Sequence, residues 1–240
     1  MSERGGAGGA PGPAAGHAEK YVWKDIPGSS HDRLTRRILA MPPNLRLLDL
    51  GAAGGHLGRA VRGRCAYLAG VEPDPTLPAS AREGYDDWRA VDALEAGDWP
   101  EPFDVVVCAD VLEHVSNPVV MLARIRHWLR PGGVLLASLP NVANVSVRAA
   151  LLFGRFEYTE RGILDGTHVS FYTRSSARRL LERNGFEVVS ALPTAMPYEL
   201  ALPALGRGVL ASASRACAEG TARFFPTLFG YQFVFEALRR

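Results

Sequence analysis

The chain has 240 residues, of which 47% are hydrophobic and 22% are charged, and its formal net charge is +2. This length and composition suit one globular domain of the larger kind. The small net charge argues against nucleic-acid binding, and the cysteines Cys65, Cys108 and Cys217 lack the spacing of a disulfide framework or a zinc site. Because neither a secretory signal nor a membrane-spanning run is visible, we expect a cytoplasmic protein without an integral membrane segment.

The N-terminal part of the chain changes character near residue 21. Residues 1–20 are rich in Gly, Ala and Pro and predict a disordered tail, whereas residues 21–240 predict a single domain. The S-x-x-D sequence from Ser29 to Asp32 is a capping-box variant, so a helix is expected to begin there and to end before Pro42.

A glycine-rich turn follows the first expected strand, Arg46–Leu50. The sequence Gly51-Ala52-Ala53-Gly54-Gly55 leads directly into an expected helix over His56–Arg62. Open parallel sheets bind nucleotide-like ligands at such a turn, and Gly51 and Gly55 remove side chains where backbone and ligand must come close. Alone, the pattern is equally compatible with a surface turn that binds nothing.

Strands and helices alternate along the rest of the chain, which predicts a parallel sheet with right-handed crossovers. The further strands are expected at Tyr67–Val71, Asp87–Val91, Phe103–Ala109, Val134–Leu139, Phe186–Leu192 and Tyr231–Ala237. The further helices are expected at Ala79–Glu83, from Asn117-Pro118 to the stop at Pro131-Gly132-Gly133, at Ser146–Phe153, from Thr173 to Asn184-Gly185, and in part around Val209–Thr221. The last two strands are expected to pair as an antiparallel hairpin. Two insertions, at about 141–172 and 193–226, interrupt the alternation.

Four acidic residues end four successive strands: Asp49, Glu72, Asp92 and Asp110. Ligands bind at that edge of an open sheet. Glu72 follows the glycine turn by about 20 residues, the spacing of an acid that binds ribose hydroxyls. Asp92 is placed to accept a hydrogen bond from an adenine amine. Solvated or helix-capping acids are the alternative for each residue alone, and a dinucleotide dehydrogenase is the alternative for the turn, although it would usually show G-x-G-x-x-G.

Several motifs together are specific: Leu47–Gly55, Val71-Glu72-Pro73-Asp74, Asp92-Ala93, Asp104–His114 with the sequence D-V-L-E-H, and Leu129-Arg130-Pro131-Gly132-Gly133. On these residues the chain resembles the class I S-adenosylmethionine-dependent methyltransferases over about Trp23–Leu192. The resemblance implies an α/β, Rossmann-like fold whose seven-stranded sheet has the order 3-2-1-4-5-7-6, with strand 7 antiparallel. It also implies S-adenosyl-L-methionine as cofactor and S-adenosyl-L-homocysteine as product.

The resemblance further implies which residues hold the cofactor. They are Asp49, Gly51, Ala53, Gly55, Glu72, Pro73, Asp92, Ala93, Asp110 and Val111, with His31 of the N-terminal helix as a possible cover. The family usually has Gly where this chain has Ala53, a departure that bears on the affinity for the cofactor.

The second half is similar to a branch of the family that includes MetW-like and ubiquinone-methyltransferase-like proteins. His168 is the first candidate for a general base, because an imidazole accepts a hydroxyl proton near neutral pH. His114 is the second candidate and Asp165 the third. For each histidine the alternative is a structural role: ordering a loop for His168, and packing beside adenine or capping a helix for His114.

Aromatic and basic side chains follow strands five and six, on the acceptor side of this fold. Phe153, Phe156, Tyr158, Phe171, Tyr172 and Tyr231 are candidates for an apolar acceptor pocket, and also for an ordinary core. Arg148, Arg155, Arg161 and Arg174 are candidates for binding an anionic substituent, and also for a solvated basic face.

These patterns favour methyl transfer to a small-molecule acceptor, most readily to a hydroxyl of a natural product, sugar or lipid-like intermediate. N- or C-methylation is an alternative, and so is a non-catalytic, MetW-like subunit that binds a partner enzyme. No nucleic-acid partner is expected, and a homodimer is an open alternative. No metal is expected, because no set of three acidic ligands is visible beyond the cofactor acids.

Overall fold

The computed structural model describes residues 26–196 and 208–240. The expected N-terminal tail, the expected start of order near residue 21 and part of the second insertion lie outside these residues.

The described elements follow the expected alternation. The strands are β1 Leu45–Leu50, β2 Cys65–Val71, β3 Asp87–Arg89, β4 Phe103–Ala109, β5 Leu129–Pro140, β6 Phe186–Pro193 and β7 Gln232–Arg239. The α-helices are α1 Ser30–Leu39, α2 His56–Val61, α3 Pro118–Trp128, α4 Val145–Leu152, α5 Arg174–Arg183, α6 Gly208–Phe224 and α7 Pro226–Phe229. Short 3-10 helices span Arg62–Arg64, Ala79–Arg82 and Ala93–Glu95.

All seven strands form one sheet in the order β3-β2-β1-β4-β5-β7-β6. The pairs from β3 to β5 are parallel, whereas β7 runs antiparallel to both β5 and β6. The strand order and the antiparallel last strand expected from the resemblance are thereby confirmed. The carboxyl ends of β1, β2 and β4 lie at one edge of the sheet, which is where a ligand binds in such folds.

Apolar side chains cover both faces of the sheet. Helices α1 and α2 bury Leu34, Ile38 and Leu57 on one face, and α3 and α5 bury Ile125 and Leu181 on the other. This double cover explains the nearly continuous apolar run of β4, because both sides of a central parallel strand are packed. Within the described ranges, no helix is long and apolar enough to cross a membrane.

Capping side chains fix where the helices begin, largely as the sequence predicts. The hydroxyl of Ser29 accepts a hydrogen bond from the Asp32 amide of α1, and the side chain of Asn117 accepts one from Val120 of α3. Thr173 and Ser176 form a reciprocal capping box at α5. These caps satisfy amides that have no partner inside the helix.

Three expected boundaries are wrong. Strand β3 ends at Arg89 rather than Val91, because the Arg89 carbonyl already accepts the amide of Glu72 and the chain then leaves the sheet. The expected helix at Ala79–Glu83 is a 3-10 turn over Ala79–Arg82. Strand β5 begins at Leu129, which pairs with Phe103 before the register shifts at the glycines that follow.

Candidate active site

The glycine turn after β1 is folded tightly against its neighbours. The backbone of Gly51, Ala53 and Gly55 has positive φ values of 71°, 46° and 68°. The amide of Gly51 donates to the carbonyl of Val71 at 2.9 Å, which stitches the turn to the end of β2. A Cβ atom on Gly51 would lie 2.7 Å from a methyl carbon of Val111, so the loop after β4 touches the turn directly. The positive φ and this contact favour glycine at Gly51, and the group that a side chain would meet is Val111 rather than the expected ligand.

The absence of a side chain at Gly55 leaves room for another segment of the chain. A Cβ atom there would lie 2.0 Å from the carbonyl oxygen of Ala81, so the expected close approach of a ligand is replaced by a close approach of the chain. The guanidinium of Arg59 donates to the carbonyls of Ser80 and Gly54, each at 2.8 Å, and fixes the same segment. The 3-10 turn between β2 and β3 therefore braces the glycine turn from outside.

Glu72 lies where the resemblance places the ribose-binding acid. Its buried carboxylate accepts the amide of Ala53 at 2.8 Å and the amide of Asp74 at 3.0 Å. A carboxylate has about four lone-pair sites, so these two bonds fix its orientation and leave capacity for hydroxyl donors. The neighbouring Pro73 is exposed.

The acid after β3 is further from the turn. Asp92 is exposed, and its carboxylate caps the 3-10 helix Ala93–Glu95 by accepting the amide of Leu94 at 2.8 Å. His31, the expected cover, lies half-buried in the first turn of α1.

Asp49 is buried on the α2 face of the sheet, only 2% exposed. Its carboxylate accepts the hydroxyl of Tyr85 at 2.7 Å. Burial raises the pKa of Asp49 to about 7, the nearby charge of Glu72 adds to that rise, and the Tyr85 hydrogen bond opposes it. The structure therefore places Asp49 beside Tyr85, a partner that no sequence pattern indicates.

Asp110 contacts strands β5 and β7 at the sheet edge. Its φ of 55° is unusual for a residue other than glycine. Its carboxylate accepts the hydroxyl of Ser138 from β5, and the side-chain amide of Gln232 from β7 lies 3.0 Å from both carboxylate oxygens. Burial, and then the charge of Asp110, raise the pKa of Tyr231. Ser138 and Gln232 are not among the predicted site residues, because a single polar residue within a strand forms no recognisable sequence motif.

The two candidate histidines are in contact. The rings of His114 and His168 meet edge to face, with their centroids 4.8 Å apart. Nδ1 of His114 lies 3.2 Å from the carbonyl oxygen of Thr167, and Nδ1 of His168 lies 3.0 Å from that of Ile163. A carbonyl only accepts, and the Thr167 hydroxyl, which also lies 3.2 Å from Nδ1 of His114, donates to Asp165. We therefore assign the proton of His114 to Nδ1 and its lone pair to Nε2. Burial, and then the neighbouring His168, lower the pKa of His114.

Asp165, the third candidate, orders the loop that carries His168. Its carboxylate accepts both the amide and the hydroxyl of Thr167, at 2.8 and 2.7 Å. The carbonyl of Glu113 holds the next part of that loop by accepting the amides of Val169 and Ser170. The loop is therefore tied to the D-V-L-E-H turn along its length.

A mixed set of candidate metal ligands lies at this loop, although the sequence predicts no metal site. The set consists of Glu113, His114 and His168. One ligand atom from each lies within 4.8 Å of the others, and the Glu113 side chain is buried. Two imidazoles and a carboxylate are a donor set typical of divalent transition metals. A search for acidic triads misses such a set because two of its members are histidines.

A small cavity of about 30 Å³ lies on the far side of Gln232, between residues 26–29, the end of β6 and Ser214–Glu219 of α6. A space of this size admits water rather than an acceptor molecule.

Comparison with known proteins identifies the family. A sequence profile described as a methyltransferase domain matches residues 22–191, which is more than half of the chain. The chain belongs to this methyltransferase family. The class I S-adenosylmethionine-dependent methyltransferase expected from the motifs is confirmed as the family, and S-adenosylmethionine is the cofactor of that family.

Curated relatives and solved structures agree with this family. Residues of the chain are 33% identical over 130 positions to a ubiquinone biosynthesis O-methyltransferase of Xylella fastidiosa, covering 51% of this chain and 52% of that protein. They are 31% identical over 176 positions to the protein of that name from Dinoroseobacter shibae, covering 66% and 70%. The chain spans about half the length of the first of these relatives.

The crystal structure of magnesium protoporphyrin IX methyltransferase (ChlM) from Synechocystis PCC 6803, with bound S-adenosylhomocysteine, superposes with a TM-score of 0.60. The identity is 17%, and the match covers 89% of this chain and 83% of that one. This likeness shows the shared fold.

The glycine turn of this methyltransferase fits the cofactor. The carboxylate of Glu72 is fixed at the edge of the turn by two backbone amides and keeps acceptor capacity for the hydroxyl groups of a ribose. S-adenosylmethionine supplies, when bound, an electrophilic methyl group on a sulfonium leaving group. Gly51, Ala53 and Glu72 are the residues that would hold it.

Proposed function

We propose that this methyltransferase transfers a methyl group from S-adenosylmethionine to a hydroxyl group of a small molecule. Residues 21–240 act in this proposal as one domain, and the insertions at about 141–172 and 193–226 form its acceptor side. The named relatives, which are O-methyltransferases of ubiquinone biosynthesis, support O-methylation over N- or C-methylation.

The observation that carries the proposal is the position of the histidine pair. Val111 touches the cofactor turn at Gly51, and the amide of His114 donates to the carbonyl of Val111 at 3.0 Å. His114 therefore lies one tight turn of the chain after Val111, which touches the cofactor turn, and His168 packs against His114. A neutral imidazole at this position is suited to take a proton from an acceptor hydroxyl.

The proton balance assigns a role to one atom. The acceptor oxygen forms the new bond to the methyl carbon and loses its proton, and Nε2 of His114 receives that proton. The lowered pKa of His114 keeps the imidazole neutral near pH 7, as a base requires. Thr167 holds the ring in the tautomer with its lone pair on Nε2.

Aromatic rings beside the histidines suit a flat, apolar acceptor. Phe171 lies 6.1 Å from the ring of His168, and it also contacts Phe156 and Tyr158 at 6.0 and 6.2 Å between centroids. Phe156 and Tyr158 are 43% and 60% exposed, so they offer apolar surface that the core does not use. These rings are the surface on which we place a phenolic or lipid-like acceptor.

Isothermal titration with S-adenosylmethionine tests the cofactor site. The Glu72→Ala variant removes a buried carboxylate that accepts one hydrogen bond from the turn, at Ala53, and one from Asp74. Its affinity should fall about 10- to 100-fold, since a charged hydrogen bond is worth about 1.5–3 kcal/mol. Glu83→Ala, at an exposed acid nearby, is the matched control and should bind normally. Equal affinities for the wild type and Glu72→Ala would remove Glu72 from the site.

Methylation of a panel of phenols and hydroxylated lipids, followed by mass spectrometry, tests the acceptor class. His114→Ala should lower turnover ~10²-fold or more while cofactor binding persists. His127→Ala alters an exposed histidine that contacts only the surface acid Asp98 at 3.3 Å, and it should keep full turnover. If His168→Ala alone loses turnover, the base is His168 and our assignment of His114 is wrong.

A metal-assisted variant of this reaction is the second candidate, because Glu113, His114 and His168 could together hold a divalent ion. It predicts that a chelator abolishes turnover, that an added divalent cation restores it, and that Glu113→Gln responds to neither. A non-catalytic, partner-binding subunit is distinguished by a different result: cofactor binding without product from any acceptor in the panel.

A further inference from the structure

Tyr85 occupies a space that three separate parts of the chain leave open for it. A Cβ atom on Gly58 of α2 would lie 2.2 Å from Cζ of the Tyr85 ring, and one on Gly70 of β2 would lie 2.9 Å from its ring carbons. The ring also meets Trp88 edge to face at 5.1 Å between centroids. The two glycines leave room for the Tyr85 ring, with Trp88 packed beside it at Gly70, and this packing fixes where the hydroxyl points.

The hydroxyl points at Asp49, two residues before the cofactor turn begins. The 2.7 Å hydrogen bond joins the connection between β2 and β3 to the buried end of β1. Burying a carboxylate in a low-dielectric environment is unfavourable unless a donor compensates it, and Tyr85 is a donor in that position. We propose that Tyr85 is a positioning residue for the cofactor: its hydroxyl favours the anionic form of Asp49 beneath the glycine turn, where that charge favours the cationic cofactor over its neutral product. This inference rests on the proposed function.

The charged and titratable groups around Tyr85 and Asp49 determine how the affinity for the cofactor changes with pH. From α2, the positive charge of Arg59 lies near the phenol; from the end of β2, Glu72 repels a second negative charge at Asp49. The thiols of Cys65 and Cys108 stay uncharged near neutral pH, because burial raises the pKa of both. A cation that binds beside Glu72 offsets the repulsion between the two carboxylates. Cofactor binding should therefore release a proton from Asp49 near neutral pH.

Calorimetric titrations of S-adenosylmethionine and S-adenosylhomocysteine between pH 6 and 8.5 test the pair, without any assay of activity. In the wild type, the affinity for S-adenosylmethionine should rise up to tenfold per pH unit below the transition, with proton release visible as a buffer-dependent heat. S-adenosylhomocysteine lacks the sulfonium charge, so its affinity should rise less.

Tyr85→Phe keeps the ring in place and removes only the hydroxyl. Its affinity for S-adenosylmethionine should fall severalfold at pH 7 and recover at pH 8.5, because the loss of the donor moves the ionisation of Asp49 to higher pH. Asp49→Asn should be independent of pH over the whole range. Tyr67→Phe, which removes the hydroxyl that donates to Asp87 at 3.4 Å, is the matched control and should behave as the wild type.

Three results would overturn the inference. A Tyr85→Phe affinity equal to the wild type at every pH shows that the hydroxyl does not act on the cofactor. An equal loss at every pH shows a merely structural role. If the wild type does not bind S-adenosylmethionine at all, the proposed function fails together with this inference, whereas wild-type binding that is independent of pH refutes this inference alone.

Discussion

Ala53 is the residue at which the cofactor turn departs most from its family, and its backbone explains why glycine is usual there. With φ at 46°, Ala53 is in the left-handed region, which costs a residue with a Cβ atom about 1–2 kcal/mol. The strain persists because the Ala53 amide is held by the carboxylate of Glu72. Alanine at position 53, where glycine is usual, therefore makes the turn less stable without changing its shape.

Ala53→Gly should raise the free energy of unfolding by about 0.5–1 kcal/mol, because the relieved strain exceeds the extra chain entropy of glycine. Urea denaturation measures this change. Ala52→Gly is the matched control: Ala52 is buried and has no positive φ, so glycine there should destabilise the protein. A loss of stability in both variants would mean that the turn is not strained at Ala53.

Asp49 and Asp110 show what a sequence cannot predict at the scale of single residues. The position of both acids at strand ends follows from the apolar runs before them, and that part of the prediction is correct. Their partners, Tyr85 for Asp49 and Gln232 for Asp110, come from distant parts of the chain. Those pairings depend on the packing of whole elements, which local pattern does not encode.

At the scale of elements, the sequence predicts the long, periodic segments well and their ends less well. Strand β4 has an apolar pattern and helix α3 has both an apolar pattern and a cap, so both are predicted well. Strand β3 has only three residues, and its last residue, Arg89, accepts a hydrogen bond from the amide of Glu72. Helix α6 was expected only in part, because its small residues give a weak period, yet it spans Gly208–Phe224. Short elements are decided by tertiary contacts rather than by propensity.

Helix α1 is tied to the sheet by an ion pair of favourable geometry. Nε and Nη2 of Arg37 donate to the two carboxylate oxygens of Glu236 in β7, at 2.7 and 2.6 Å. The Glu236 side chain is mostly buried, and the pair raises the pKa of Arg37 through this hydrogen bonding. The link joins the helix that precedes the cofactor turn to the strand that carries Gln232.

Arg37→Met should lower the free energy of unfolding by about 1 kcal/mol, a bidentate pair being worth more than an ordinary surface pair. The cofactor affinity should stay unchanged, because Glu72 and the turn are not touched. Arg36→Met is the control: Arg36 bonds Asp32 within the same helix and is largely exposed, so its loss should be smaller. Urea denaturation at low and high salt measures both variants, and equal losses would contradict a special role for Arg37.

For the whole molecule, the buried Asp49 predicts an unusual dependence of stability on pH. The folded protein holds the Asp49 proton up to about pH 7, whereas the unfolded chain releases it near the ordinary value of 3.8. The folded state thus binds more protons in this interval, so this group makes the free energy of unfolding fall as pH rises from about 4 to 7. The ionisation of Asp49 alone lowers the free energy of unfolding by at most about 4 kcal/mol over this pH interval.

Thermal or urea denaturation of Asp49→Asn against the wild type isolates that contribution. The difference between the two curves should grow through this pH interval and stay constant above it. Asp98→Asn, at an exposed acid, should give a curve parallel to the wild type. A constant difference between Asp49→Asn and the wild type would show that Asp49 ionises normally in the folded protein.

The place of β7 in the sheet has a consequence for the order of events during synthesis. It is the last strand along the chain, yet it is hydrogen-bonded between β5 and β6 and brings Gln232 to Asp110. A ribosome releases the chain from its N-terminus, so β1 to β4 and the cofactor turn can assemble while the gap beside β5 is still open. Closing that gap needs pairings that span a large part of the sequence, which are slow to form. We therefore expect the part of the sheet around the glycine turn to form before β7 closes the gap, and under the proposed function a nascent chain could take up its cofactor before its acceptor side has formed.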